Sequence, residues 1–135
     1  MASVEAPFYL ETSAAAKLLI EEAESDVLAA WLDDRAAEGA TVLSSLLLET
    51  ELRRLAVWTG LLQERVSDLL DRVDLVELDA TTCRTAGVLD GAHLRSLDAL
   101  HIASAMRADC RTMISYDARQ SDAARRIGLH VVAPQ

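Results

Sequence analysis

Four acidic residues stand where carboxylates do chemistry if the fold brings them together: Glu11, Glu51, Asp98 and Asp117. Glu11 follows the apolar stretch Pro7-Phe8-Tyr9-Leu10, and Asp117 follows Thr112-Met113-Ile114-Ser115-Tyr116, so each acid closes a strand-like segment. Asp98 falls in the first turn of a helical pattern running through Leu94–Met106. On a wheel centred on Leu48, Leu52 and Leu55 lie within about 40° at ~100° per residue, and Glu51 falls inside that apolar arc. A carboxylate turned toward a core needs a partner, because burying it alone costs several kcal/mol. Two carboxylates ~5 Å apart repel by roughly 3 kcal/mol at an effective dielectric of 20, so a cluster of four takes up protons or holds a cation. An oxygen-only set without His or Cys selects Mg²⁺ or Mn²⁺ over zinc. One or two such ions activate a water, orient a phosphodiester and stabilise the leaving oxygen without any side-chain nucleophile.

Each acid also has a local explanation. Glu11 serves as a solvated charge at a strand end, and Asp98 as a favourable charge at a helix N-terminus. Asp117-x-x-Gln120 makes a capping box, and Arg54, three residues on, is a ready partner for Glu51.

The elements that must position these acids alternate between strand and helix. Thr12 or Ser13 caps a first helix ending about Ile20, and Ser25–Ala37 forms a second with Val27, Leu28, Trp31 and Leu32 inward. Thr41-Val42-Leu43 reads as a buried strand. Ser44 and Ser45 offer caps for a helix from Leu46 to about Trp58, which Gly60 breaks, and another follows over Leu61–Leu70. Val73–Leu78 is the next strand, and Thr81 or Thr82 starts a helix ending near Gly91. Ser96 caps the Leu94–Met106 pattern, in which Leu97, Leu100, Ala103 and Ser104 recur at helical spacing. Asp117 caps a helix to about Ile127, Gly128 stops it, and Leu129–Ala133 is the last strand. Parallel strands need such crossovers, so the chain reads as one doubly wound α/β sheet in a single domain, residues 1–135. Sites in that architecture form beyond the carboxyl ends of the strands where strand order reverses.

Composition narrows the function classes. The 135 residues are 51% hydrophobic and 26% charged, ordinary for a globular domain. No apolar run approaches the ~20 residues of a membrane span, and MASVEAPFYLE lacks a basic segment followed by an apolar core, so a cytoplasmic protein without a leader is expected. Cys83 and Cys110 lack paired spacing and read as reduced, buried or half-buried thiols. His93, His101 and His130 are scattered, with no zinc-ligand spacing. A net charge of −9 opposes general nucleic-acid binding unless a cation neutralises the acidic cluster. Lys17 is the sole lysine. Arg53, Arg54, Arg95 and Arg119, each close in sequence to one of the acids, are the candidates for contact with phosphate, or else solvated helix charges.

Four segments carry a resemblance: YLETSA at 9–14, SSLLLETELRR at 44–54, LRSLDALHIASAM at 94–106 and SYDARQSDAARRIGL at 115–129. In this order they resemble the PIN-domain ribonucleases, in particular the VapC-type toxins of toxin–antitoxin pairs. The resemblance implies a five-stranded parallel sheet of order 3-2-1-4-5, Mg²⁺- or Mn²⁺-dependent endonucleolytic cleavage of RNA, a homodimer and a small cognate antitoxin. It maps the family's acids onto Glu11, Glu51, Asp98 and Asp117, with Thr12, Ser13 and Ser115 as the hydroxyl residues supporting them. Glu11 departs from the family's aspartate by one methylene, which matters for an ion as exacting as Mg²⁺. Leu18-Leu19-Ile20 and Leu61-Leu62 offer apolar surface for a dimer or antitoxin, or else core packing. Two other classes compete. One is a receiver-type phosphoacceptor domain, which needs a lysine near the last strand that Leu129–Gln135 lacks. The other is a PIN-like binding module that has lost catalysis.

Overall fold

A computed structural model describes residues 6–135; the leader reading rests partly on residues 1–5, which lie outside the described residues. Five strands, β1 (Phe8–Leu10), β2 (Val42–Ser45), β3 (Asp74–Val76), β4 (Thr112–Ile114) and β5 (His130–Val132), alternate with seven helices. The helices are α1 (Thr12–Leu19), α2 (Ser25–Ala37), α3 (Leu46–Thr59), α4 (Gln63–Leu70), α5 (Ala80–Gly87), α6 (Ser96–Arg107) and α7 (Ala118–Ile127). Every strand pair is parallel, in the order β3-β2-β1-β4-β5, as the family resemblance implied. A receiver domain has the order 2-1-3-4-5, so the topology removes that alternative.

The strands alternate faces with period two, and this sorts the core. Leu10 and Ile114 meet Ala14, Ala15, Leu28, Leu48, Leu52 and Val66 on the side of α1 to α4. Tyr9, Leu43, Met113 and Val131 meet Ile102, Ala105 and Ala124 of α6 and α7 on the other. Order reverses between β1 and β4, where Leu10 pairs with Ile114. One step further, Glu11 N–H donates to the Ile114 carbonyl at 3.1 Å, so Glu11 and Ser115 emerge side by side at the carboxyl edge.

Several ends fall where the sequence put them. Ser45 caps α3, and Gly60 ends it with φ 78°, a left-handed conformation that an L side chain resists. Asp117 caps α7 and Gly128 ends it with φ 105°. Other expectations need correcting. Glu11, not Thr12 or Ser13, caps α1, because its own carboxylate reaches the Ser13 N–H. Ser96 is the first residue of α6 rather than its cap, since the Arg95 carbonyl already accepts the first helical bond from Ala99 N–H. Asp79 caps α5, taking both the N–H and the hydroxyl of Thr82, and that helix stops at Gly87. Val27 and Leu97, read as inward, are 42% and 48% exposed. Leu19 is buried core while Leu62 is exposed. Cys83 is exposed; Cys110 is buried, and burial pushes its thiol up to about 12. Among the described residues no helix is long and apolar enough to cross a membrane.

Leu52 is fully enclosed between α3 and the sheet, whereas Val57 on the same helix is 60% exposed. Leu52→Ala is expected to cost about 2–5 kcal/mol and Val57→Ala less than about 0.5, read from urea unfolding midpoints.

Candidate active site

Glu11 is buried, and a buried carboxylate must find donors. One oxygen accepts from Ser13 N–H at 3.0 Å; the other accepts from the Ser13 hydroxyl and from the Ser115 hydroxyl at 2.6 Å. Each serine is itself fixed by the chain after β4. Tyr116 N–H donates to Ser13 Oγ at 2.8 Å and Asp117 N–H to Ser115 Oγ at 3.2 Å. The end of β1, the start of α1 and the end of β4 are thereby bound to one carboxylate.

Glu51 reaches the same edge from α3, between the inward positions Leu48 and Leu52. Its Oε1 accepts from Thr12 Oγ1 at 2.7 Å and meets His101 Nε2 at 2.7 Å. The imidazole also lies 3.1 Å from Thr12 Oγ1 and, through Nδ1, 2.7 Å from the Tyr9 hydroxyl. Burial pushes that hydroxyl up to about 12, above its ordinary value, so it stays a donor. The partners of Glu51 are therefore Thr12 and His101, not Arg54, which is exposed. Tyr9 and His101 were missed by sequence reasoning. The available signal was a polar residue inside the stretch Ala99–Ala105, all of it buried apart from the half-buried Leu100.

Asp117 Oδ1 accepts from Gln120 N–H at 2.9 Å. The other arm of the expected capping box is missing, since neither side-chain atom of buried Gln120 has a partner among the described residues. Asp98, half-buried in the first turn of α6, has its carboxyl held above the usual range. Burial is the largest cause, the charge of Asp117 adds to it, and Arg119, His101 and Arg95 oppose it. That balance places Asp98, Asp117 and His101 in one electrostatic neighbourhood, with Arg95 and Arg119 beside them. Arg53 points elsewhere in function: it binds Glu49 at 3.0 Å, Gln63 at 3.2 Å and Ser67 at 3.1 Å, joining α3 to α4.

At the carboxyl edge Ser115 thus links Glu11 to the Asp117 backbone, Thr12 and His101 hold Glu51, and Asp98 feels the charge of Asp117 and His101. No three His, Cys, Asp or Glu side chains among the described residues are grouped closely enough to hold an ion as they stand. The donor chemistry nonetheless suits a hard divalent cation. Glu51 Oε2, Asp117 Oδ2 and both Asp98 oxygens have no hydrogen-bond partner among the described residues, and Glu11 Oε2 has only one. An apolar groove of about 430 Å³ between α1, α2 and α4, lined by Leu18, Leu32 and Leu69 with Arg65 and Arg72, lies apart from these acids.

The description "PIN domain" belongs to the family model that matches residues 8–126. Ribonuclease VapC35 of Mycobacterium tuberculosis is 43% identical over 132 residues, covering 93% of this chain and 96% of that protein. Two solved structures share the fold. VapBC2 from Rickettsia felis, bound to a promoter DNA fragment, superposes with a TM-score of 0.77 at 16% identity, covering 95% of this chain and 98% of that one. VapC20 of Mycobacterium tuberculosis, described as a toxin that cleaves the sarcin-ricin loop, gives 0.70 at 17% identity over 86% and 94%. Matched by that model over residues 8–126 and by a 43% identical relative over 93% of its length, the chain belongs to the PIN domain family.

Proposed function

We propose that this protein is an endoribonuclease, the toxin of a toxin–antitoxin pair, which hydrolyses RNA phosphodiesters at a Mg²⁺ or Mn²⁺ site formed by Glu11, Glu51, Asp98 and Asp117. The observation that carries the reading is the hydrogen-bond chain from Glu11 through Ser115 to Asp117, which unites two acids from adjacent strand ends at the order reversal. When bound, the ion supplies an activated water and neutralises charge on the phosphodiester.

The chain's own residues do the positioning. Ser13 and Ser115 fix Glu11, while Thr12 and His101 fix Glu51. Burial and the charge of Asp117 hold the Asp98 carboxyl up, and a cation beside it would relieve both. Arg95 and Arg119, on the rim beside Asp98, suit contact with the phosphates of the RNA backbone. Arg54 is exposed and suits the same role, whereas Arg53 is already occupied by α4. The longer Glu11 reaches its serine donors through the extra methylene, so its departure from aspartate is compatible with the site.

The reading includes a cognate antitoxin and a homodimer as partners. Exposed Val57, Trp58 and Leu62 near the α3–α4 junction, and the groove beside Leu18, supply apolar surface for such partners to cover.

Asp98→Asn is expected to lower metal-dependent RNA cleavage at least about a hundredfold while leaving the thermal midpoint in place, because it removes charge but keeps shape. Undiminished cleavage would sink the assignment. Glu11→Ala is expected to lose Mg²⁺ affinity and cleavage together and to cost about 1 kcal/mol of stability as well, because the residue caps α1. With a net charge of −9, RNA affinity measured by fluorescence anisotropy should fall at least about tenfold when EDTA is added; equal affinity without metal contradicts the mechanism.

A further inference from the structure

His101 is 1% exposed and Tyr9 is fully enclosed, yet both present polar atoms to one another at 2.7 Å inside the core, with buried Ser44, Ser45 and Ser104 nearby. Such a pair is costly to bury unless every polar atom is used. Here every one is used, and the line of contacts ends on Glu51.

An ionised carboxylate only accepts, so imidazole Nε2 carries the hydrogen in the contact with Glu51 Oε1. In the neutral ring Nδ1 is then bare, and it accepts from the Tyr9 hydroxyl. Thr12 donates to the same Glu51 oxygen. Glu51 Oε2 has no hydrogen-bond partner among the described residues. Three elements, α1, α3 and α6, therefore meet at one oxygen atom and leave the other open, with Tyr9 of β1 behind the imidazole.

We propose that Tyr9 and His101 are positioning residues for the metal site: Glu51 draws the imidazole hydrogen to Nε2, the Tyr9 hydroxyl donates to the bare Nδ1 and holds the ring in that orientation, and His101 with Thr12 pins one oxygen of Glu51 and presents the other to the ion. The proposal rests on the metal-site reading above and adds to it two residues that touch neither ion nor RNA. Without the Tyr9 hydroxyl, Nδ1 is a buried acceptor with no donor. The ring then loses the contact that orients it, and Nε2–H no longer holds the Glu51 oxygen in place.

The test uses the full-length protein labelled with ¹⁵N in histidine. Long-range ¹H–¹⁵N spectra of the metal-free protein report the tautomer, and electron paramagnetic resonance of free Mn²⁺ reports affinity. The wild type is expected to show His101 as a single Nε2–H tautomer. Tyr9→Phe is expected to loosen the ring, seen as broadened His101 signals, and to weaken Mn²⁺ binding about tenfold, as removal of a residue orienting a ligand does. His101→Gln, whose amide both donates to Glu51 and accepts from Tyr9, should hold affinity within about threefold. His101→Leu should lose about tenfold or more, although leucine is the easier residue to accommodate in a core. A purely packing role predicts the reverse order for Gln and Leu, and that order overturns the proposal. So does a Tyr9→Phe protein with unchanged His101 signals and unchanged Mn²⁺ affinity. Should His101→Leu fail to fold, Tyr9→Phe and His101→Gln still decide the matter. Failure of the metal-site reading looks different: the wild type itself then takes up no Mn²⁺, and the positioning role falls with it.

Discussion

Negative charge held at the seam between β1 and β4 is the constraint on which the rest of this structure depends. Glu11 is withdrawn from water at the point where strand order reverses, and it is tolerable there only because three donors converge on it. Those donors come from Ser13 and Ser115, and the serines are in turn fixed by backbone N–H groups following β4. Helix α1 and the approach to α7 thus take their starting geometry from one carboxylate. The parallel pairing of Leu10 with Ile114 makes this possible by bringing the two chain exits level.

A second set of contacts works across the sheet's edge rather than along it. Glu51 descends from α3, which belongs to one face of the sheet, whereas His101 and Tyr9 belong to the layer on the other face. Their meeting point is the rim, where the two layers are no longer separated by backbone. Thr12 stands between the systems, next to Glu11 in sequence and bonded to Glu51 in space. Asp98 completes the rim with a carboxyl that burial and the neighbouring Asp117 hold up. In the proposed reading a cation would satisfy these acids, while neutral hydroxyl and imidazole groups hold Glu11 and Glu51 in place.

Much of this was legible in the sequence because it depends on local rules. The 2-residue alternation of FYL and TMI, Ser45 and Asp117 as caps, and Gly60 and Gly128 as helix stops are short-range effects. Glu51 inside an apolar arc announced a buried partner, and the four acids came from strand ends and helix faces. The identity of the partner was not legible, since His101 lies 50 residues away and is chosen by how α3 and α6 approach one another. The hydroxyls of Thr12 and Ser13 misled for a related reason. Local propensity makes them helix caps, but here the Glu11 carboxylate accepts the Ser13 N–H and fills the capping position, while both hydroxyls donate to carboxylates instead. Ser96 failed more simply, because α6 begins one residue before a serine cap would allow.

β1 is only three residues long, and its positions alternate between the two layers, Phe8 and Leu10 on one side and Tyr9 on the other. Tyr9 faces one layer, Leu10 the other, and the next residue leaves the sheet at the level of Ser115. Adding or removing one residue there would send the tyrosine and the leucine to the wrong layers and carry the acid past its serine donors. The length of this segment therefore acts as a ruler between the two layers and the site, whereas the turn over residues 88–95, which separates α5 from α6, sets no such register.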